Sequence, residues 1–104
     1  MDEVFKALAD PGRRELLDRL FADNGQTLTD LCEGMGMSRQ AVTKHLTILE
    51  AANLVATVRV GRAKYHYLNP VPIHDIQERW VGKFERPRLR ALSNVRSRAE
   101  EVNG

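Results

Sequence analysis

The chain of 104 residues contains a single cysteine, Cys32. That excludes an internal disulfide and any metal or redox chemistry that needs two thiols from one chain. No apolar run approaches the roughly 20 residues of a membrane span. The acidic start, MDEVFK, has no signal-peptide character. The sequence therefore predicts a cytoplasmic protein with no membrane partner. It contains no phosphate-binding glycine loop, and no nucleophile, base and orienting group stand together, so an enzyme is not expected. Repeats, low-complexity tracts and interdomain linkers are also missing, which leaves a single domain over residues 1–104. A monomer of this size buries only about two-thirds of its unfolded surface. An apolar face shared with a second copy would make up the shortage.

What is present is an ordinary globular composition, 42% hydrophobic and 29% charged, with a net charge of +2. The layout of that charge is more informative than its sum. Residues 1–37 carry a net −4, whereas residues 38–66 carry +4 from Arg39, Lys44, Arg59, Arg62 and Lys64 against Glu50. Positive charge focused on one short stretch is what a polyanion-binding edge requires.

That stretch opens with SRQAVTKHLTILEAANL, residues 38–54. Wound as a helix at about 100° per residue, it gathers Ala41, Val42, Leu46, Ile48, Leu49 and Ala52 on one side. Arg39, Gln40, Thr43, Lys44 and Thr47 gather on the other. Ser38 suits the N-cap, since its hydroxyl accepts from an N–H of the first turn. Polar side chains thus project from the first half of the helix, as they do from a helix that reads DNA in the major groove. His45 falls on the apolar arc and is expected to be packed and hydrogen-bonded rather than to read bases.

Before this helix, Val4, Phe5 and Leu8 have helical spacing. Asp10-Pro11 then suits the cap and first position of a second helix burying Leu16, Leu17, Leu20 and Phe21, with Arg13, Arg14, Glu15 and Asp18 on its solvated face. Residues 26–28 read as a connector or an edge strand. Thr29 or Asp30 is expected to cap a short helix with Leu31, Cys32 and Met35, and a glycine-containing turn leads to Ser38, which makes a helix-turn-helix. Cys32 reads as a small buried hydrophobe. After it, residues 54–68, LVATVRVGRAKYHYL, read as two strands with a tip at residues 60–63. A hairpin in that place is a wing, and Arg59, Arg62 and Lys64 at its tip would meet phosphates or a minor groove. Asn69-Pro70-Val71-Pro72 stops the sheet. Ile73, Ile76, Trp80 and Phe84 then form one helical face, with a kink or break expected at Pro87 and Arg86, Arg88 and Arg90 solvated.

With those elements placed, the sequence closely resembles the ArsR/SmtB-type family of bacterial winged-helix repressors. The likeness is carried by FKALADPGRRELLDRL, LTDLCEGMGMSRQAVTKHLTILEAANLV and GRAKYHYLNP, together roughly residues 4–70. It implies homodimers, paired through their N- and C-terminal helices, that repress from inverted-repeat operators. Two departures separate the chain from the family's metal sensors. Gly34 stands where a second thiol would follow Cys32, and His74, Asp75 and Glu78 have no later histidine to complete a C-terminal metal site. The resemblance is thus to the subset without metal sites, and no cofactor is expected.

The expected fold is mainly α with a small β-hairpin, a winged helix-turn-helix. The expected function is sequence-specific binding of a double-stranded DNA operator by a dimeric transcriptional repressor. Gln40, Thr43 and Lys44 are the base-edge candidates: Gln pairs with adenine, Lys with guanine or a phosphate, and Thr with a polar edge or a thymine methyl. Ser38 and Arg39 at the helix start are phosphate anchors, as are Arg59, Arg62 and Lys64 on the wing. The alternative is a metal- or thiol-responsive sensor on the same scaffold, with His74 and Glu78 or Cys32 as ligands. The identity of any small-molecule inducer is not written in the sequence.

Overall fold

The computed structural model describes residues 1–81. The chain divides into two units, Met1–Ile73 and His74–Gly104. In the first, helices α1 (Asp2–Leu8), α2 (Pro11–Ala22), α3 (Leu28–Cys32) and α4 (Arg39–Ala51) precede an antiparallel hairpin of β1 (Val55–Val60) and β2 (Ala63–Leu68). Helix α5 (Val71–Ile76) follows and continues into a π-helical turn, Gln77–Val81. The fold is mainly helical with one small hairpin, the winged helix-turn-helix expected. No helix among the described residues is long and apolar enough to cross a membrane. Phe84, Pro87, the helix beyond it and Arg86, Arg88 and Arg90 lie outside the described residues.

Local signals set the helix starts. The Asp10 side chain accepts from the Arg13 N–H at 3.0 Å with Pro11 at the first helical position, as the sequence predicts. That N–H bond is the main reason the Asp10 carboxyl is held below its ordinary value. Helix α3 corrects an expectation: its cap is Thr27, not Thr29 or Asp30. Thr27 Oγ1 accepts from the Asp30 N–H at 3.2 Å while Asp30 Oδ2 accepts from the Thr27 N–H at 3.1 Å. Two orphan donors are satisfied reciprocally, which one acceptor at position 29 or 30 would not achieve. Helix α4 ends where Asn53 turns left-handed at φ 61° and Leu54 N–H closes back on the Leu49 carbonyl at 2.9 Å.

Leu16, Leu20, Leu31, Val42, Leu49 and Leu54 are fully buried and form the centre, with α4 packed against α1, α2, α3 and β1. Two core assignments differ from those the periodicity suggests. In α1 the inner positions are Val4 and Ala7, while Phe5 is 42% exposed. In α2 Phe21 is 81% exposed, because Leu16, Leu17 and Leu20 already fill the inner arc and Phe21 lies about 100° past Leu20. In the second unit Trp80, expected on the helical face, lies on the π turn and is 45% exposed.

The hairpin pairs Val55 with Leu68 through Val60 with Ala63, leaving Gly61 and Arg62 as a two-residue loop. Only Gly61 of the two has positive φ, 62°, which is the type II′ pattern that suits a tight hairpin. Residues 26–28 prove to be more than a connector. Gln26 bridges to His66 as a fragment of third strand, His66 N–H donating to the Gln26 carbonyl at 2.8 Å and the His66 Nδ1–H at 2.9 Å.

Three α2 arginines do work that the sequence does not announce. Arg13 donates to the Ala7 and Lys6 carbonyls at 2.8 and 3.0 Å, and Arg14 to Leu8 at 2.8 Å, closing the C-terminus of α1. Arg19 donates to Leu31 at 3.0 Å, to Asp30 at 3.4 Å and to Glu33, closing α3. Cations that satisfy last-turn carbonyls also complement the helix dipole. Arg19→Ala should therefore cost about 1–2 kcal/mol, read as a lower urea midpoint at unchanged slope. Arg19→Lys should recover only part of it, because one ammonium cannot span three carbonyls. A midpoint unmoved by Arg19→Ala would refute this role.

Candidate nucleic-acid interface

The interface is built on α4, held in place by its cap and its buried arc. Ser38 Oγ accepts from the Ala41 N–H at 3.1 Å, as expected, which leaves the hydroxyl proton available to an outside acceptor. Val42, Leu46 and Leu49 are buried. At about 100° per residue Gln40 and Lys44 point almost diametrically away from them. Both are exposed, and neither side chain makes a hydrogen bond or ion pair among the described residues. Arg39 and Thr43 fall on the flank of the helix and are already engaged. Arg39 Nη1 donates to Thr29 Oγ1 at 3.3 Å, and Thr43 Oγ1 donates to the Arg39 carbonyl at 2.9 Å. With its proton directed inward, Thr43 presents lone pairs and a methyl outward, so it suits an amino edge or a thymine methyl rather than an acceptor. Thr47, not singled out by the sequence reading as a contact, repeats the arrangement one turn on, donating to the Thr43 carbonyl at 3.0 Å.

The wing cations are not equivalent. Arg62 occupies the exposed loop, and Arg59 pairs in register with Lys64. Like charges directly opposite are unfavourable, and Lys64 finds its relief in Glu50 of α4 at 3.2 Å. Lys64 therefore links the wing to α4 through Glu50. His45 sits half-buried at the base of α4, its Nδ1 3.5 Å from an Arg13 guanidinium nitrogen and 3.8 Å from Asp10 Oδ2, which agrees with a packed histidine.

Residues 8–58 match a helix-turn-helix domain family. The chain is 36% identical over 84 residues to the transcriptional repressor SdpR of Bacillus subtilis (strain 168), covering 81% of this chain and 91% of SdpR. The structure of an ArsR-like transcriptional regulator from Rhodococcus sp. RHA1 superposes with a TM-score of 0.72 at 31% identity, covering 96% of this chain and 90% of that one. The chain belongs to the ArsR/SmtB family of transcriptional regulators. A transcriptional repressor SmtB homologue from Synechocystis sp. (strain ATCC 27184 / PCC 6803 / Kazusa) is 43% identical over 68 residues, 65% of this chain and 51% of that protein.

As an ArsR/SmtB member the protein is a DNA-binding transcriptional regulator. Its helix-turn-helix is α3, the turn at residues 33–38, and α4. Among the described residues no group of three His, Cys, Asp or Glu side chains is placed to hold a metal, and Cys32 is half-buried. The eight residues proposed from sequence divide into two sets. Ser38, Arg39, Thr43 and Lys64 have side-chain partners within the chain, while the side chains of Gln40, Lys44, Arg59 and Arg62 make no hydrogen bond or ion pair among the described residues.

Proposed function

We propose that this regulator is a dimeric repressor acting in the cytoplasm on an inverted-repeat operator, with no enzymatic step. One winged-helix domain per protomer reads DNA and the C-terminal helix dimerises. The observation that carries the reading is the outward, unpartnered pair Gln40 and Lys44 on the capped α4, beside cations of the wing. Gln40 and Thr43 read base edges, Lys44 reads a guanine edge or a phosphate, and Ser38, Arg39, Arg59 and Arg62 hold phosphates, with Lys64 steadying the wing. Dimer symmetry sets the two α4 helices about 34 Å apart in successive major grooves, hence half-sites about 10 base pairs apart. Support for the dimer comes from exposed apolar side chains, Phe5, Phe21 and Ile73 in the first unit and Trp80 in the second.

The test is an operator selected by the purified protein from random duplexes. Gln40→Ala should cost on the order of 1–3 kcal/mol per base contact on that operator and little on scrambled DNA. Thr43→Ala should behave alike with a smaller loss, and Arg62→Ala should weaken both duplexes equally. Anisotropy at one fixed salt concentration distinguishes the cases. Specificity ratios that survive both helix substitutions but fall with Arg62→Ala would move the reading head from α4 to the wing.

A further inference from the structure

A crevice of about 440 Å³ opens between the start of α3, α4 and the wing. Buried Leu46 lines it together with Leu28 and Ala63, which gives an apolar patch within a wall that also carries Thr43, Thr47 and His66. Arg39, Arg62 and Lys64 stand around it against one carboxylate, Glu50, which is paired with Lys64. No carboxylate among the described residues lies within ion-pair distance of Arg39 or Arg62. A channel serving only a phosphate backbone needs cations and N–H donors, not an apolar patch. A hollow of this size that joins an apolar patch to a few convergent charges has the form of a small-molecule site.

We infer that this crevice is an effector site for a small organic carboxylate with a compact apolar body. The carboxylate meets the Arg39 and Arg62 guanidinium groups, which match its geometry, and the apolar body covers Leu46, Leu28 and Ala63. Because Arg39, Thr43 and Arg62 also belong to the DNA-facing set, occupancy competes with DNA. Only this last consequence rests on the DNA reading proposed above.

The probe is 2-naphthoate, titrated into the ¹⁵N-labelled full chain, with 2-naphthalenemethanol as its neutral counterpart. Naphthoate should shift the amides of Thr43, Thr47, Ala63 and His66 saturably, with Kd on the order of 0.1–1 mM for a ligand of this size. The alcohol should bind about tenfold more weakly. Arg62→Ala, in an exposed loop, should weaken naphthoate roughly threefold to fivefold and leave the alcohol unchanged. Thr47→Phe should fill the crevice and remove both. Equal binding of the two probes, shifts centred on Leu17 and Phe21, or no saturation by about 5 mM would overturn the inference. With duplex present, saturating naphthoate should lower DNA affinity about tenfold, and unchanged affinity would refute the effector role. If the wild type bound no duplex even at low salt, the regulator reading would fall and the amide shifts would still test the crevice.

Discussion

Phe21→Asp should yield a folded monomer whose DNA affinity has fallen by about 100-fold or more. Phe21 is 81% exposed on α2 and borders an open groove of about 370 Å³ with Leu8, Leu17, Leu68 and Ile73, which Arg14 and Asp18 also line. A side chain so exposed contributes little to the core, so the substitution should change the stability of a protomer by no more than about 0.5 kcal/mol. If the groove is covered by a second copy, each new carboxylate enters a mainly apolar interface that already holds Asp18, with Arg14 donating to the Leu8 carbonyl, and association fails. Losing the linkage between two half-site contacts removes an advantage of about 10² to 10⁴. Light scattering and circular dichroism should show one-chain mass with native helicity, and anisotropy the lost affinity. A wild type with one-chain mass at micromolar concentration would sink the dimer, and a variant that stays dimeric would remove this groove from the interface.

The second large effect is the salt dependence. Of the five basic groups between residues 38 and 66, Lys64 is already paired with Glu50 at 3.2 Å, which leaves Arg39, Lys44, Arg59 and Arg62. Each phosphate neutralised adds about −0.9 to the slope of log affinity against log salt, so half to all of these in a dimer give roughly −4 to −7. Raising salt from about 50 to 200 mM should then weaken binding by on the order of 10² to 10⁴. Arg62→Ala should flatten the slope by about 2 in the dimer, one unit for each protomer. Lys64→Ala should move it far less, because its ammonium is largely neutralised in the free protein. A nearly flat wild-type slope, or equal changes for the two variants, would contradict a free Arg62 beside a paired Lys64.

Much of this protein is written in short-range pattern. The 3.6-residue period of residues 38–54 places Gln40 and Lys44 opposite Val42 and Leu49, and the structure keeps that placement. Asp10-Pro11 and Ser38 announce helix starts, and the β-branched run around Gly61 announces the wing. The Thr27 cap was readable too, from its three-residue spacing to Asp30. Family membership follows from the same stretches, since the residues that cap, turn and alternate are the ones that carry the likeness.

Other features depend on neighbours distant in sequence. A helical period states the direction in which Phe21 points on α2, but not that Leu16, Leu17 and Leu20 leave it outside the core. The charge pattern counts Lys64 among the wing cations, but only the docking of the hairpin on α4 brings Glu50 to it. Arg13, Arg14 and Arg19 look like solvated charges on α2 until α1 and α3 present their last carbonyls to them. The bridge from Gln26 to His66 spans 40 residues of chain. Caps, turns and amphipathic phase depend on groups a few residues apart, so the sequence alone determined the elements and the face that α4 presents. Partners of long polar side chains and the covering of an apolar face depend on distances set by packing, so the tertiary structure decided which charges remain for DNA and where a crevice opens beside them.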